Sequence, residues 1–180
     1  MSTTPLHDLP PALAARPIDP KRGVPIPAVN EQSDGTADYV SINGRTAVIL
    51  AGQGCCSLCT EPMTGLVAFL GGPRSADAHS YSDPPMHESC AEAALRLCPH
   101  MARQHARRAT RQRVPEGTVV PEGFSEEKPD EWVMVLTADF ATGLVPAEGG
   151  GFVPVFVSSR HERTRQFVYN DGALVEKTGR

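Results

Sequence analysis

Residues 54–62 read GCCSLCTEP, with Cys55, Cys56 and Cys59 packed into five positions. Such a stretch is a redox pair, a nucleophile or half of a metal site, and the choice governs how the rest of the chain is read. The other half of a metal site lies downstream at 87–90, HESC. Cys56 and Cys59 form a C-x2-C pair, and His87 and Cys90 form an H-x2-C pair, with 27 residues between the pairs. Zinc takes four N or S donors in a tetrahedron, and structural sites commonly use three Cys and one His. A two-residue gap lets both members of a pair reach one ion from a tight turn or from the first turn of a helix. Spacing also leaves Cys55 open as a C-x3-C substitute for Cys56, although neighbouring residues serve one ion together only with difficulty.

What flanks the pairs supports this reading. The stretch 88–98 is alanine-rich and uninterrupted, with acids near its start and Arg96 near its end, which predicts a helix. Pro84-Pro85 precedes it, and Pro99 disfavours continuation beyond Cys98. His87 and Cys90 then fall where the helix begins, and its free N–H groups and dipole favour a thiolate at Cys90. Between the pairs, 66–70 (LVAFL) reads as a strand ended by Gly71-Gly72-Pro73, and the polar stretch 74–83 is expected to return as its hairpin partner. Knuckle, hairpin and ligand-bearing helix follow one another as in a treble-clef zinc site.

The competing chemistries lack what they need. A thioredoxin-like redox pair opens a helix after a strand, whereas Glu61-Pro62 and Gly65 follow here. A catalytic zinc leaves one position open, and four candidate ligands fill the shell. Cys98 lies eight residues beyond Cys90, about 80° further round the helix. It reads as a packed small residue, with an auxiliary ligand as the alternative.

With RPIDPKRGVPIP at 16–27, CSLC at 56–59, PPMHESCAEAALRLCPH at 84–100 and a β-rich tail, the chain resembles a family of small actinobacterial and actinophage proteins. Its mark is a C-x2-C knuckle followed by a P-x-H-x-x-C-A-x-x-A-x-x-x-C-P helix. The resemblance spans residues 16–180 and is most specific in the ligand region. It implies that Cys56, Cys59, His87 and Cys90 bind zinc and that Cys98-Pro99 closes the helix, and it carries no catalytic residues. The additional Cys55 and the basic-then-acidic stretch at 101–131 depart from the pattern.

Composition sets the frame. The 180 residues allow one domain with a tail, and Pro 17 with Gly 16 argue for a loop-rich, small-cored protein that gains from a metal staple. A net charge of −4 argues against a whole-surface nucleic-acid binder. The start has no apolar segment of signal-peptide length and no run approaches a membrane span, so a cytoplasmic location is expected. In that compartment the five cysteines read as metal ligands or core residues.

Seven prolines before position 28 predict a disordered arm over residues 1–20. The alternation of apolar residues with Pro at 22–29 suggests an extended strip lying across a core. A short strand is expected at 37–42, then a turn at Asn43-Gly44, then an apolar run at 46–51 too short to assign. A second, basic helix is expected over 101–113, followed by a linker at 114–131. Strands are expected at 132–137, 152–158 and 166–176, the last folded about Asn170-Asp171-Gly172. The fold class is therefore α+β: a treble-clef-like zinc domain at 21–113 with an antiparallel β unit at 132–180 packed on it.

The run 100–113 places Arg103, Arg107 and Arg111 at i, i+4 spacing, a stripe suited to nucleic-acid phosphates if it is not a solvated helix paired with the downstream acids. His79, within the expected hairpin, invites comparison with ββα-metal nucleases, but the helix ligands are committed to the structural ion. Gly149-Gly150-Gly151 has no helix or Lys-Ser/Thr after it and is not a phosphate loop. Trp132 reads as a core anchor. The functional expectation is a structural zinc protein acting as a non-enzymatic interaction module with a protein partner. A nucleic-acid-associated protein comes second and a metal-dependent nuclease or hydrolase third.

Overall fold

The computed structural model of the chain describes residues 8–39, 41–104, 128–147 and 150–177. Its centre is the run EWVMVLT, Glu131–Thr137 (β3), of which every residue from Trp132 onward is buried. A strand buried on both faces reads as a continuous apolar run, and this one is flanked on both sides. Val67–Gly71 (β1) pairs with it on one edge and His161–Asn170 (β6) on the other, both antiparallel. Ala173–Glu176 (β7) completes a sheet of order β1-β3-β6-β7.

Period-two alternation divides this sheet between two cores. Ala68 and Leu70 of β1, with Trp132, Met134 and Leu136 of β3, face a cluster containing Cys90, Ala91, Ala93 and Leu95 of the helix Glu88–Leu97 (α4). Cys56, Leu58 and Cys59 belong to the same cluster. Val67, Phe69, Val133 and Val135 face the opposite way, towards Ala47, Leu50 and Ala51 of the helix Gly44–Gly52 (α2). This second cluster also holds Tyr81 of Ser80–Tyr81 (β2) and Phe156 of Phe152–Ser158 (β5), which pair in register. Phe140–Pro146 (β4) completes a second sheet of order β2-β5-β4. Phe69 stacks on Tyr81 with ring centroids 4.8 Å apart, which ties the two sheets together.

The helix α4 ends at Leu97, and Pro99 opens the short helix Pro99–Ala102, where its fixed φ and missing N–H cost nothing. The β6–β7 hairpin turns at Asp171 and Gly172, both at positive φ (49° and 80°), as a tight turn between twisted strands demands. Trp132 is an anchor: its Nε1 donates to the Tyr169 hydroxyl at 2.8 Å, and that hydroxyl donates to the Met101 carbonyl at 2.6 Å.

Several sequence expectations are corrected. Residues 8–20 are not a disordered arm: a turn of helix at Pro11–Ala14 buries Leu13, and Leu9 joins the same core. Asn43-Gly44 is a helix start, because the Asn43 side chain accepts the Thr46 N–H at 3.1 Å and caps α2 over the unassigned apolar run. Of the strand expected at 37–42, the described residues form only an isolated bridge between Ala37 and Glu31. The hairpin expected from 66–83 is absent as well. Residues Pro73–Asp77 are helical, and β1 takes β3 as its partner while β2 pairs with β5. The cysteine-rich region and the C-terminal strands therefore share one sheet. Finally, the helix expected over 101–113 has ended by Arg103, which is extended (φ −124°, ψ 125°) and bridges Ala173. Residues 105–127, with Arg107, Arg111 and most of the expected linker, lie outside the described residues.

Candidate metal centre

The knuckle is a turn closed by its own backbone. Cys56 N–H donates to the Glu61 carbonyl at 2.9 Å and Thr60 N–H to the Cys56 carbonyl at 2.9 Å, while Thr60 adopts a left-handed φ of 72°. Neighbouring chain holds this turn in place. Ala28 and Val29, in the strip after the N-terminal prolines, donate to the carbonyls of Leu58 and Ser57 at 3.0 and 3.2 Å. Ser57 N–H reaches the Pro85 carbonyl at 3.1 Å, which brings the turn against the approach to α4. On the far side of that approach, Met86 and Ala68 exchange two backbone hydrogen bonds, at 2.8 and 3.0 Å, so β1 fixes where the second pair begins.

These contacts bring Cys56, Cys59, His87 and Cys90 together with all four donor atoms within 4.8 Å of one another. His87 Nδ1 lies 3.4 Å from the Cys59 sulfur and 3.9 Å from the Cys90 sulfur. Donors round a tetrahedral zinc, with Zn–S about 2.3 Å and Zn–N about 2.0 Å, sit roughly 3.5–3.8 Å apart. The two His87 spacings lie close to that range, so the cluster is able to hold one ion. Cys56, Cys59 and Cys90 are 0%, 4% and 1% exposed, and His87 is half-buried.

Each donor is also oriented. The outer imidazole nitrogen of His87, Nε2, lies 3.2 Å from the Pro62 carbonyl, which can only accept, so Nε2 carries the proton and Nδ1 keeps its lone pair for a metal. The His87 backbone N–H donates to the Cys56 sulfur at 3.4 Å. Hydrogen bonds from the Cys59 and Cys90 thiols, with backbone N–H groups of Cys59 and His87, hold the Cys56 thiol far below the usual range. Donating to Cys56 pushes the Cys59 thiol up, and donating to Cys56 and Cys59 does the same for Cys90. The three sulfurs thus share their protons through one hydrogen-bonded cluster, and a cation bound there would displace those protons into solvent.

The remaining candidates lie outside this group. Cys55 directs its sulfur towards the carbonyl of Gln53, two residues earlier, at 3.7 Å, and Cys98 occupies the junction between α4 and the next helix. Arg103 does not begin a helical stripe, and Lys128 donates to its carbonyl oxygen. His79 sits at positive φ (53°) just before β2 and stacks on His161, with ring centroids 3.9 Å apart. Ser158 Oγ links a nitrogen of each ring, 3.3 Å from His79 Nδ1 and 3.0 Å from His161 Nε2. Sequence reasoning missed His161, the Pro62 carbonyl and Arg165. The Arg165 guanidinium joins Glu88 and Glu92 of the ligand helix to Glu176 of β7, bonding Glu176 through two nitrogens at 2.8 Å each. Only the C-x2-C and H-x2-C spacings carry a sequence signal; a carbonyl that orients a histidine has none.

Fold and site together define a mixed helix-and-sheet protein with a Cys and His cluster able to hold a metal ion. Compared with models of protein families, with curated proteins and with solved structures, the chain matches none.

Proposed function

We propose that Cys56, Cys59, His87 and Cys90 hold one structural Zn2+ and that the chain works as a non-enzymatic interaction module. The observation that carries this reading is the convergence of four donor atoms within 4.8 Å, three of them buried sulfurs. Three thiolates and one imidazole suit zinc among the common divalent ions, and four protein donors leave no position for substrate. The ligand set is the one that the actinobacterial and actinophage resemblance implies. A knuckle followed by a helix bearing the second pair keeps the treble-clef order of ligands, with β1 between them in place of a hairpin. Thiolate ligands persist in a reducing compartment, which supports a cytoplasmic location. Among the described residues no helix is long and apolar enough to cross a membrane.

Native mass spectrometry tests the reading. One zinc per chain is expected, lost together with the fold in His87→Ala or Cys90→Ser. A wild-type protein that folds without metal and takes up none overturns it.

A further inference from the structure

Sheet edges are open templates for pairing, and proteins blunt them by shortening, covering or charging them. Three of the four edges here are treated in one of these ways. The β1 edge is bridged by Met86 at Ala68. At the opposite edge of that sheet, β7 has four residues, ends in Glu176 and is bridged by Arg103 at Ala173. In the smaller sheet β2 has two residues. The fourth edge is β4, seven residues reading FATGLVP, without a charged side chain and paired only to β5 among the described residues. Its single proline, Pro146, is the last residue.

Beside this edge lies an apolar groove. In the β4–β5 register Leu144 opposes Pro154 and Pro146 opposes Phe152, so these side chains share the face that looks towards α2. Nearer the core that face is filled by Phe156, but at its far end Leu144 and Phe152 are 63% and 69% exposed. Val48 and Ile49 of α2, 36% and 47% exposed, form the facing wall. Together with Gly44, Arg45 and Pro154 they line a groove of about 530 Å³. Arg45 is the one charged residue of that lining, is exposed, and makes no ion pair among the described residues.

We infer that β4 and this groove form a docking surface for an extended peptide segment of a partner protein, one carrying apolar side chains at alternate positions and a carboxylate. The segment adds as a strand to the β4 edge, which is unpaired among the described residues, its backbone pairing with the outward N–H and C=O groups. Alternate side chains then fall between α2 and the β4–β5 end, burying Leu144, Phe152, Val48 and Ile49. The carboxylate meets Arg45, one helical turn before Ile49. Charge selects this occupant over a second copy. The lining contains no Asp or Glu, so self-pairing of two grooves brings apolar surface to apolar surface and leaves both Arg45 groups without a counter-charge. This inference deepens the interaction role proposed above by naming the kind of partner, and it does not use the metal centre.

The probe is a phage-displayed library of random linear peptides selected on the full, zinc-loaded chain. Enrichment of peptides with alternating apolar residues and an Asp, a Glu or a terminal carboxylate is expected. A synthetic copy should lose about tenfold or more in affinity to Arg45→Glu, and its binding should vanish with Leu144→Asp. N-methylation of alternate peptide backbone nitrogens should abolish binding, which side-chain contacts alone would not predict. Both variants should keep the zinc content and melting temperature of the wild type. Absence of enrichment, or peptides that bind Arg45→Glu undiminished, overturns the inference. So does a wild-type dimer by light scattering that becomes a monomer with Leu144→Asp, which assigns the edge to a second copy. Metal content reports on the zinc reading and peptide affinity on this one, so either can fail alone.

Discussion

The imidazole of His87 is held from behind by Pro62, whose carbonyl oxygen lies 3.2 Å from Nε2. Glu61-Pro62 closes the knuckle, so the turn that places two of the sulfurs also sets the tautomer of the third donor residue. The ring then presents Nδ1, 3.4 Å from the Cys59 sulfur. In zinc-loaded protein, long-range ¹H–¹⁵N correlation spectra should show His87 protonated at Nε2 with Nδ1 shifted by the metal. The reverse tautomer would mean that Pro62 does not orient the ligand.

Cys55 and Cys56 are adjacent yet face different surroundings. The Cys56 sulfur is fully buried and accepts the His87 N–H, whereas the Cys55 sulfur points towards the Gln53 carbonyl. Cys55→Ser should leave zinc stoichiometry intact and change stability by no more than about 0.5 kcal/mol. Cys56→Ser should lose the metal at modest chelator concentrations. Equal zinc retention in the two variants, measured by competition with a chromophoric chelator, would return Cys55 to the ligand set.

That difference marks how far the sequence could be read. The grouping of Cys56, Cys59, His87 and Cys90 was legible because metal spacing is local and the residue types are few, and the helix α4 was legible because Pro85 and Pro99 bracket an uninterrupted run. Strand pairing was not, because nothing in LVAFL says that its partner lies at 131–137 instead of in the next ten residues. Asn43-Gly44 serves a hairpin turn and a helix cap equally, and only the Thr46 N–H on the Asn43 side chain decides between them. β4 escaped notice because Ala141, Thr142 and Gly143 break the alternation that marks a strand. His161 and Arg165 could not have been assigned roles, since their partners His79 and Glu88 lie in distant elements.

Arg165 ties the ligand helix to the sheet. It bonds Glu88 and Glu92 on α4 and Glu176 on β7, and its hydrogen bond to Glu176 holds that carboxyl below its ordinary range. Exposed pairs contribute little singly, but removing this one cation takes the ion-pair partner from Glu92 and Glu176 and leaves Glu88 with Arg163 alone. Arg165→Ala should therefore cost about 1 kcal/mol in urea unfolding at low salt, and less at high salt where the attraction is screened. A cost that does not change with salt would locate its origin in lost packing over Phe167, whose ring centroid lies 5.5 Å from the guanidinium carbon.

His161 gives the fold a pH dependence of definite sign. His161 takes up a proton less readily than the ordinary value of 6.5, first because burial disfavours the cation and then because of His79 beside it. Besides the His79 ring, Ser158 Oγ meets His161 at 3.0 Å, and the register partner of His161 is Thr137, which offers no charge. As pH falls through 6.5 the unfolded chain is protonated at this position before the folded one, so stability is lost. The loss levels off once the pH is below the lowered folded value. His161→Asn removes the titrating group, and its amide can still meet Ser158. With zinc saturating in both proteins, the fall in melting temperature between about pH 7 and about pH 5 should be smaller in this variant than in the wild type. An equal fall would mean that protonation of His161 is not coupled to folding and that the junction of β2, β5 and β6 tolerates the charge.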